Sequence, residues 1–505
     1  MDKLAAGGRV AVLTALSALA QMINFSYRVL MARMVGAEVM GLYQLVMSAY
    51  SVIQAITTVG LTACMSNLTA QYLARNNFLG VQQLRRSCLR LFFALMLPVG
   101  ALVILASDGI SVGLLGDART QLGLILLIPC LTLTGIENIH KNAFYGAEQS
   151  IPPAAAEVAE QVVRAAAILG LLWAFLPQYP ERAVGLILWG MILCEIFSAA
   201  NLWLLHRRYF PAGAGGVGEK EGARLRRMGT IALPVGMNAL LGNLLGAANA
   251  ALIPQMLVRG GMERSLAISE LGVVCGMTMP MLALPTVYLG ALNLVLMPKL
   301  TRATALGREG EVRRLIRRGM ETVCLLTVPC MVLMAVLGPD LGLLLYGRQD
   351  VGNFLVPLAG SMGVSCCVSV LATALNSIGR QKTVTGISLV GGVVQLLCTV
   401  TLVPMPGVGM GGYVAGVLLT NLLELALCLG AVVRTTGLRP DWFGWGVVPG
   451  LAGALAALNG GLLLRLLKDS GVPTPWAGIV TLIFGGMQYA VVIYVLRRRP
   501  AEFRM

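Results

Sequence analysis

The chain has 505 residues, of which 57% are hydrophobic and only 12% are charged, about half the charged share of a soluble protein. A soluble core of this size needs a charged surface that this sequence cannot supply, which excludes a soluble enzyme, a disordered chain and a nucleic-acid binder. The net charge of +15 is accounted for by where the basic residues fall.

Apolar runs long enough to cross a bilayer occur at about 10–32, 42–65, 91–107, 121–139, 154–176, 184–205, 230–258, 271–298, 319–337, 354–379, 384–404, 411–433, 443–464 and 476–496. The runs are continuous rather than alternating, so they predict membrane helices and not a β-barrel. The first run is too long for a signal peptide and leads straight into the second, so it reads as a retained helix. With the N-terminus placed inside, 28 of the 38 Lys and Arg residues fall on inner segments and 8 on outer ones, while Arg28 and Arg164 lie within runs. That bias predicts cytoplasmic termini. The basic residues then face the anionic inner leaflet, and nucleic acid is not needed to explain them.

The outer loops are short; the longest, about 338–353, cannot hold a catalytic domain. The longest inner loop, about 206–229, is Gly-rich and basic and reads as a flexible linker. No GxxxxGK[ST] occurs, so no built-in ATPase is expected. The eleven cysteines lie mostly in apolar runs without paired CxxC spacing, and the two histidines sit where helices end. A metal centre is therefore not expected. A bundle of spans without soluble domains reads as a transporter and not an enzyme.

The linker follows six spans and precedes six more. The junctions AFYGAEQ (Ala143–Gln149) and ALNSIGRQ (Ala374–Gln381) occupy matching places, and so do Glu195 and Glu424. These matches predict an N-terminal lobe at 1–210, a cytoplasmic linker at 211–229, a C-terminal lobe at 230–436, and two added helices with a tail at 437–505. Repeated halves suit alternating access.

The candidate residues are the polar ones inside runs. Pro152 and Pro153 open the fifth helix. Spacings of 3, 4 and 7 put Glu157, Glu160 and Arg164 on one face of it, with Arg164 near mid-bilayer. They read either as cavity residues or as a self-neutralised pair that fastens two helices. Arg28, five residues from the outer-edge Arg33, either snorkels or binds an anion, and Asn24 lies one turn away on its face. Glu195 and Glu424 sit mid-span and are ion-coupling candidates or structural carboxyls. Pro234, Pro254, Pro280 and Pro285 interrupt the seventh and eighth spans, where kinks are expected. Gly272/Gly276, Gly412/Gly416 and Gly446/Gly450 are GxxxG pairs that point to close helix contact.

Four stretches carry a family resemblance: INFSYRVLMARMVGAEVMGLYQL (Ile23–Leu45), AFYGAEQSIPPAAAEVAEQVVR (Ala143–Arg164), ALPVGMNALLGNLLGAANAALIPQML (Ala232–Leu257) and ELGVVCGMTMPMLALPTVYLGALNLVLMPKL (Glu270–Leu300). In order and spacing they resemble polysaccharide transporters of the stage V sporulation protein B type. These belong to the superfamily of lipid-linked oligosaccharide flippases, lipid II flippases and multidrug and toxin extrusion transporters. The chain departs from the family in the seventh helix, where members often carry an acid and this sequence reads GAANAALIP, with Ala248 and Asn249.

The resemblance implies an all-α polytopic protein of about 14 membrane helices. Two pseudo-symmetric six-helix lobes would face each other across a central V-shaped cavity, with helices 13 and 14 outside. It also implies a substrate, an undecaprenyl-pyrophosphate-linked sugar moved from the inner to the outer leaflet of the bacterial cytoplasmic membrane. Arg28 and Arg164 suit a pyrophosphate better than a cationic drug. The alternatives are a cation-coupled multidrug exporter of the same superfamily and a non-transporting scaffold in envelope or spore assembly. The expected partners are the lipid-linked sugar and membrane lipids, with the chain acting as a monomer. No cofactor is expected beyond a coupling ion, H+ or Na+.

Overall fold

Every apolar run becomes helix, and no strand occurs among the described residues. The computed structural model describes the backbone of residues 2–210 and 218–498, with side chains except at 2–11, 285, 287, 291, 294, 475, 497 and 498. The glycine-rich stretch 211–217 and the tail arginines Arg499 and Arg504 lie outside the described residues, as do the side chains of Lys3 and Arg9.

Among the described residues, thirteen segments are long and apolar enough to cross a membrane, and the first, Val12–Leu73, has 62 residues. At 1.5 Å per residue that segment is about three bilayer cores long. Gly36 divides it, with φ 78° and ψ 174°, a conformation open essentially to glycine alone. Cut there, the described segments number about fourteen. Large apolar side chains point outward, among them Leu105, 86% exposed, and Trp173, 80% exposed. In water such a surface would aggregate, but in lipid tails it is the solvated face. The protein is a multi-pass membrane protein.

Packing divides the described chain into two compact units, Met1–Gln255 with Glu263–Gly272, and Met256–Met262 with Val273–Met505. In the first unit, residues from segments that the charge bias places outside meet at one end. Arg119 reaches Glu38 at 2.8 Å and Asp117 at 2.9 Å, and Arg264 lies 4.0 Å from Asp117. Burial opposes charge on Asp117, yet the hydrogen bonds from Arg119 hold its carboxyl below the usual range.

Segments that the charge bias places inside also meet one another. Glu219 accepts hydrogen bonds from Tyr72 and, at 3.0 Å, from Arg227. The buried Arg224 donates to Ser87 at 2.8 Å and to Gln83 at 3.0 Å. The described part of the linker is therefore not a free tether. From Glu219 onward it is pinned to the second and third spans, because a buried guanidinium must find acceptors.

The expected kinks are unevenly realised. Pro234 and Pro254 lie inside one unbroken helix, Glu221–Arg259. The eighth span instead breaks repeatedly, into Arg264–Leu271, a π-helical stretch Gly272–Thr278, the short helix Met279–Ala283, a 3-10 turn Leu284–Thr286 and the helix Val287–Ala305. The glycine pairs also differ. A Cβ on Gly272 would lie 1.9 Å from the Ala37 carbonyl oxygen. On Gly412 and Gly416 it would collide with Leu402 and Cys398, whereas Gly446 and Gly450 face open space. Gly272, Gly412 and Gly416 therefore mark close helix contact.

Candidate functional site

The fifth helix, Ile151–Phe175, starts with prolines in its first turn, where a missing backbone N–H does no harm. Arg164 lies near its midpoint. One Arg164 nitrogen, Nη2, donates to Glu160 Oε1 at 2.5 Å on its own helix and to Glu195 Oε1 at 2.9 Å on the sixth, Ala183–Tyr209. Ser198, one turn beyond Glu195, donates to Glu160 Oε2 at 3.3 Å. Glu160 and Glu195 are both buried.

The fourth helix, Gln121–Gly146, supplies a third buried carboxyl, Glu137. One carboxylate oxygen from each of Glu137, Glu160 and Glu195 lies within 4.8 Å of the others. One turn beyond Glu137, Lys141 pairs with Glu157 at 3.2 Å. Tyr27 of the first helix lies beside Arg164. The Nε of Arg164 and Oε2 of Glu195 are buried with no hydrogen-bond partner among the described residues.

The chemistry of the cluster follows from its charge. Three carboxyl groups confront one guanidinium, with the Lys141 ammonium a turn away. Three carboxylates this close repel strongly where water is scarce. Lys141 is taken up by Glu157, so a net charge of about −2 remains, which protonation of two carboxyls or one divalent cation would neutralise, and the three oxygens lie close enough for a cation to bridge them. Arg164, already shared between two carboxylates, has little positive charge left for a phosphate.

Of the sequence candidates, Glu160, Arg164 and Glu195 are brought together, and Glu157 joins at the rim through Lys141. Arg28 and Asn24 are half-buried on the first helix. Arg28 has no carboxylate partner among the described residues, and its Nε is buried without an acceptor. Glu424 stands apart in the second unit. It lies over Gly391 of the eleventh span, where a Cβ would come within 2.2 Å of its Oε1, and no ion pair reaches it among the described residues.

Sequence reasoning missed Glu137, Lys141, Tyr27 and Ser198. Glu137 was visible as an acid inside the run 121–139. Lys141 lies just past the run 121–139, but the helix continues to Gly146 and carries it into the packing.

Comparison with known proteins agrees with this architecture. A family model described as polysaccharide biosynthesis protein matches residues 7–304, and one described as lipid II flippase MurJ matches residues 281–448. Stage V sporulation protein B of Bacillus subtilis (strain 168) is 23% identical over 428 residues, covering 82% of each chain. Among solved structures, a lipid II flippase MurJ in an inward closed conformation superposes with a TM-score of 0.69, covering 97% of this chain and 99% of that one at 11% identity. An inward-facing multidrug resistance MATE family transporter of the MOP superfamily gives 0.64, covering 84% of this chain and 98% of that one at 14% identity. The first family model spans more than half of the 505 residues, and the chain belongs to the polysaccharide biosynthesis protein family.

Proposed function

We propose that this protein is a flippase that moves an undecaprenyl-pyrophosphate-linked sugar or cell-wall precursor from the inner to the outer leaflet by alternating access. In this reading it acts as a monomer in the bacterial cytoplasmic membrane, with both termini inside. The observation that carries the proposal is the joint match, family membership over residues 7–304 together with a lipid II flippase fold over 97% of the chain. The chemistry is consistent with it. A diphosphate headgroup crossing a low-dielectric interior needs fixed positive charge, and Arg28 is an intramembrane guanidinium without a carboxylate partner among the described residues. In this scheme the Glu137/Glu160/Glu195/Arg164 cluster holds the coupling ion, and Glu424 is a second candidate for that role.

The test is reconstitution of the purified protein in vesicles with a labelled undecaprenyl-pyrophosphate sugar. Translocation is expected, with a loss of at least tenfold in Arg28→Ala and partial retention in Arg28→Lys. The acidic excess of the cluster favours one other reading, a cation-coupled exporter. Resistance of cells to ethidium that depended on Glu160 or Glu195, together with no translocation of the labelled lipid, would replace the flippase reading with that one.

Topology has its own test. A cysteine placed between 211 and 217 in a Cys-free variant is expected to resist an impermeant thiol reagent in intact cells. Ready labelling there would invert the orientation.

A further inference from the structure

Four arginines converge on one hollow at an end of the second unit. Gly310, Arg313, Arg314 and Arg317 follow spacings of 3, 4 and 7 on the helix Glu309–Tyr346, so they share one face. The turn that ends the twelfth span supplies the facing wall, Gly437, Leu438 and Arg439. Gly437 has φ 65°, a left-handed conformation that turns the chain back and leaves no side chain in the way. These seven residues line an open hollow of about 380 Å³, in which Arg314, Arg317 and Arg439 are exposed.

The charge in this hollow is poorly balanced. Arg313 donates to the Thr436 carbonyl at 3.0 Å and lies 3.6 Å from Glu309, whose side chain is 79% exposed. Such an exposed pair contributes little. Arg314, Arg317 and Arg439 have no hydrogen bond or ion pair among the described residues. The neighbouring acids are engaged elsewhere. Glu311 pairs with Arg308 at 3.5 Å, and Asp441 accepts from the Gly444 backbone at 2.9 Å. The inner-side bias of basic residues asks only for charge at this end, and lysine would satisfy it equally. Here every lining cation is an arginine, and all of them face one concavity. Guanidinium forks match the oxygens of a phosphate in pairs, which a lysine does not.

We propose that this hollow is a binding site for a phosphate-bearing anion of two or more charges, either a lipid headgroup or a soluble diphosphate. Arg314, Arg317 and Arg439 are the principal ligands. Arg313 is held in place by Thr436 and completes the ring. The site is independent of the intramembrane cluster and does not rest on the flippase reading.

The test uses the full-length protein in neutral detergent, titrated separately with inorganic pyrophosphate and with phosphatidylcholine micelles that do or do not contain cardiolipin. Wild type is expected to bind at least one of the two anions. The Arg314→Gln/Arg317→Gln/Arg439→Gln variant should bind it at least tenfold more weakly, and a control, Arg75→Gln/Arg86→Gln/Arg208→Gln, should bind it as wild type does. Binding of pyrophosphate alone identifies a soluble phosphate as the source. Binding of cardiolipin alone identifies a headgroup, and competition between them shows one shared site. Should the glutamine triple fail to fold, the corresponding lysine triple keeps the charge and is expected to bind several-fold more weakly through loss of the forks. The proposal is overturned if wild type binds neither anion, if the control loses as much as the pocket variant, or if the lysine triple binds as wild type.

Discussion

Replacing Arg164 with leucine is expected to lower both the amount of folded protein in the membrane and its melting temperature in detergent. The change strands Glu160 and Glu195, which share the Arg164 Nη2 at 2.5 Å and 2.9 Å and are both buried. Removing one partner of a buried ion pair costs about 3–5 kcal/mol, mostly because the charge left behind is unpaired. Neutralising the carboxyls in the same chain, with Glu160→Gln and Glu195→Gln, should restore most of the folded protein. Transport by that triple variant then separates two roles. If it transports as wild type does, the cluster only fastens the fifth helix to the sixth. If it folds and does not transport, the charges act in the cycle, as the proposed ion coupling requires. Normal levels and melting of Arg164→Leu alone would refute the pairing itself.

Gly272→Ala should be nearly as damaging, although it adds a single methyl group. Its Cβ would lie 1.9 Å from the Ala37 carbonyl oxygen and 2.7 Å from the Gly41 nitrogen, and a Cβ on Gly41 would lie 2.0 Å from the Ile268 carbonyl oxygen. These obstacles are backbone atoms, so no rotamer change relieves the clash and the helices must separate. Overpacking usually costs 1–3 kcal/mol, and a backbone clash belongs at or above the top of that range. Gly41→Ala and Gly272→Ala break the same crossing, so the double variant should lose less than the sum of the two. Gly446→Ala is the control. Its Cβ meets nothing within 4 Å, and alanine there should be neutral or slightly stabilising. Equal melting temperatures for Gly272→Ala and Gly446→Ala would mean that the crossing is looser than described.

The fold class and the run of spans were legible in the residues alone, because hydrocarbon thickness sets the length of an apolar helix whatever surrounds it. Glu160 and Arg164 were likewise placed together, since a four-residue spacing on a helix is local geometry. Even the break at Gly36 falls in the gap between the runs 10–32 and 42–65. The rest of the site emerged from helix packing. Glu137, Glu160 and Glu195 are separated by 23 and 35 residues in the chain, and only the packing of the fourth, fifth and sixth helices brings their oxygens within 4.8 Å. The same packing gave Arg164 a second carboxylate, Glu195, beside the Glu160 that its own helix already offered. It also sent the matched residues Glu195 and Glu424 into unlike surroundings, one against a guanidinium and the other over Gly391. A helix's own periodicity says which residues share a face. What that face meets depends on the neighbouring helices, and in lipid those are chosen by close packing of small residues and by polar pairing rather than by hydrophobicity.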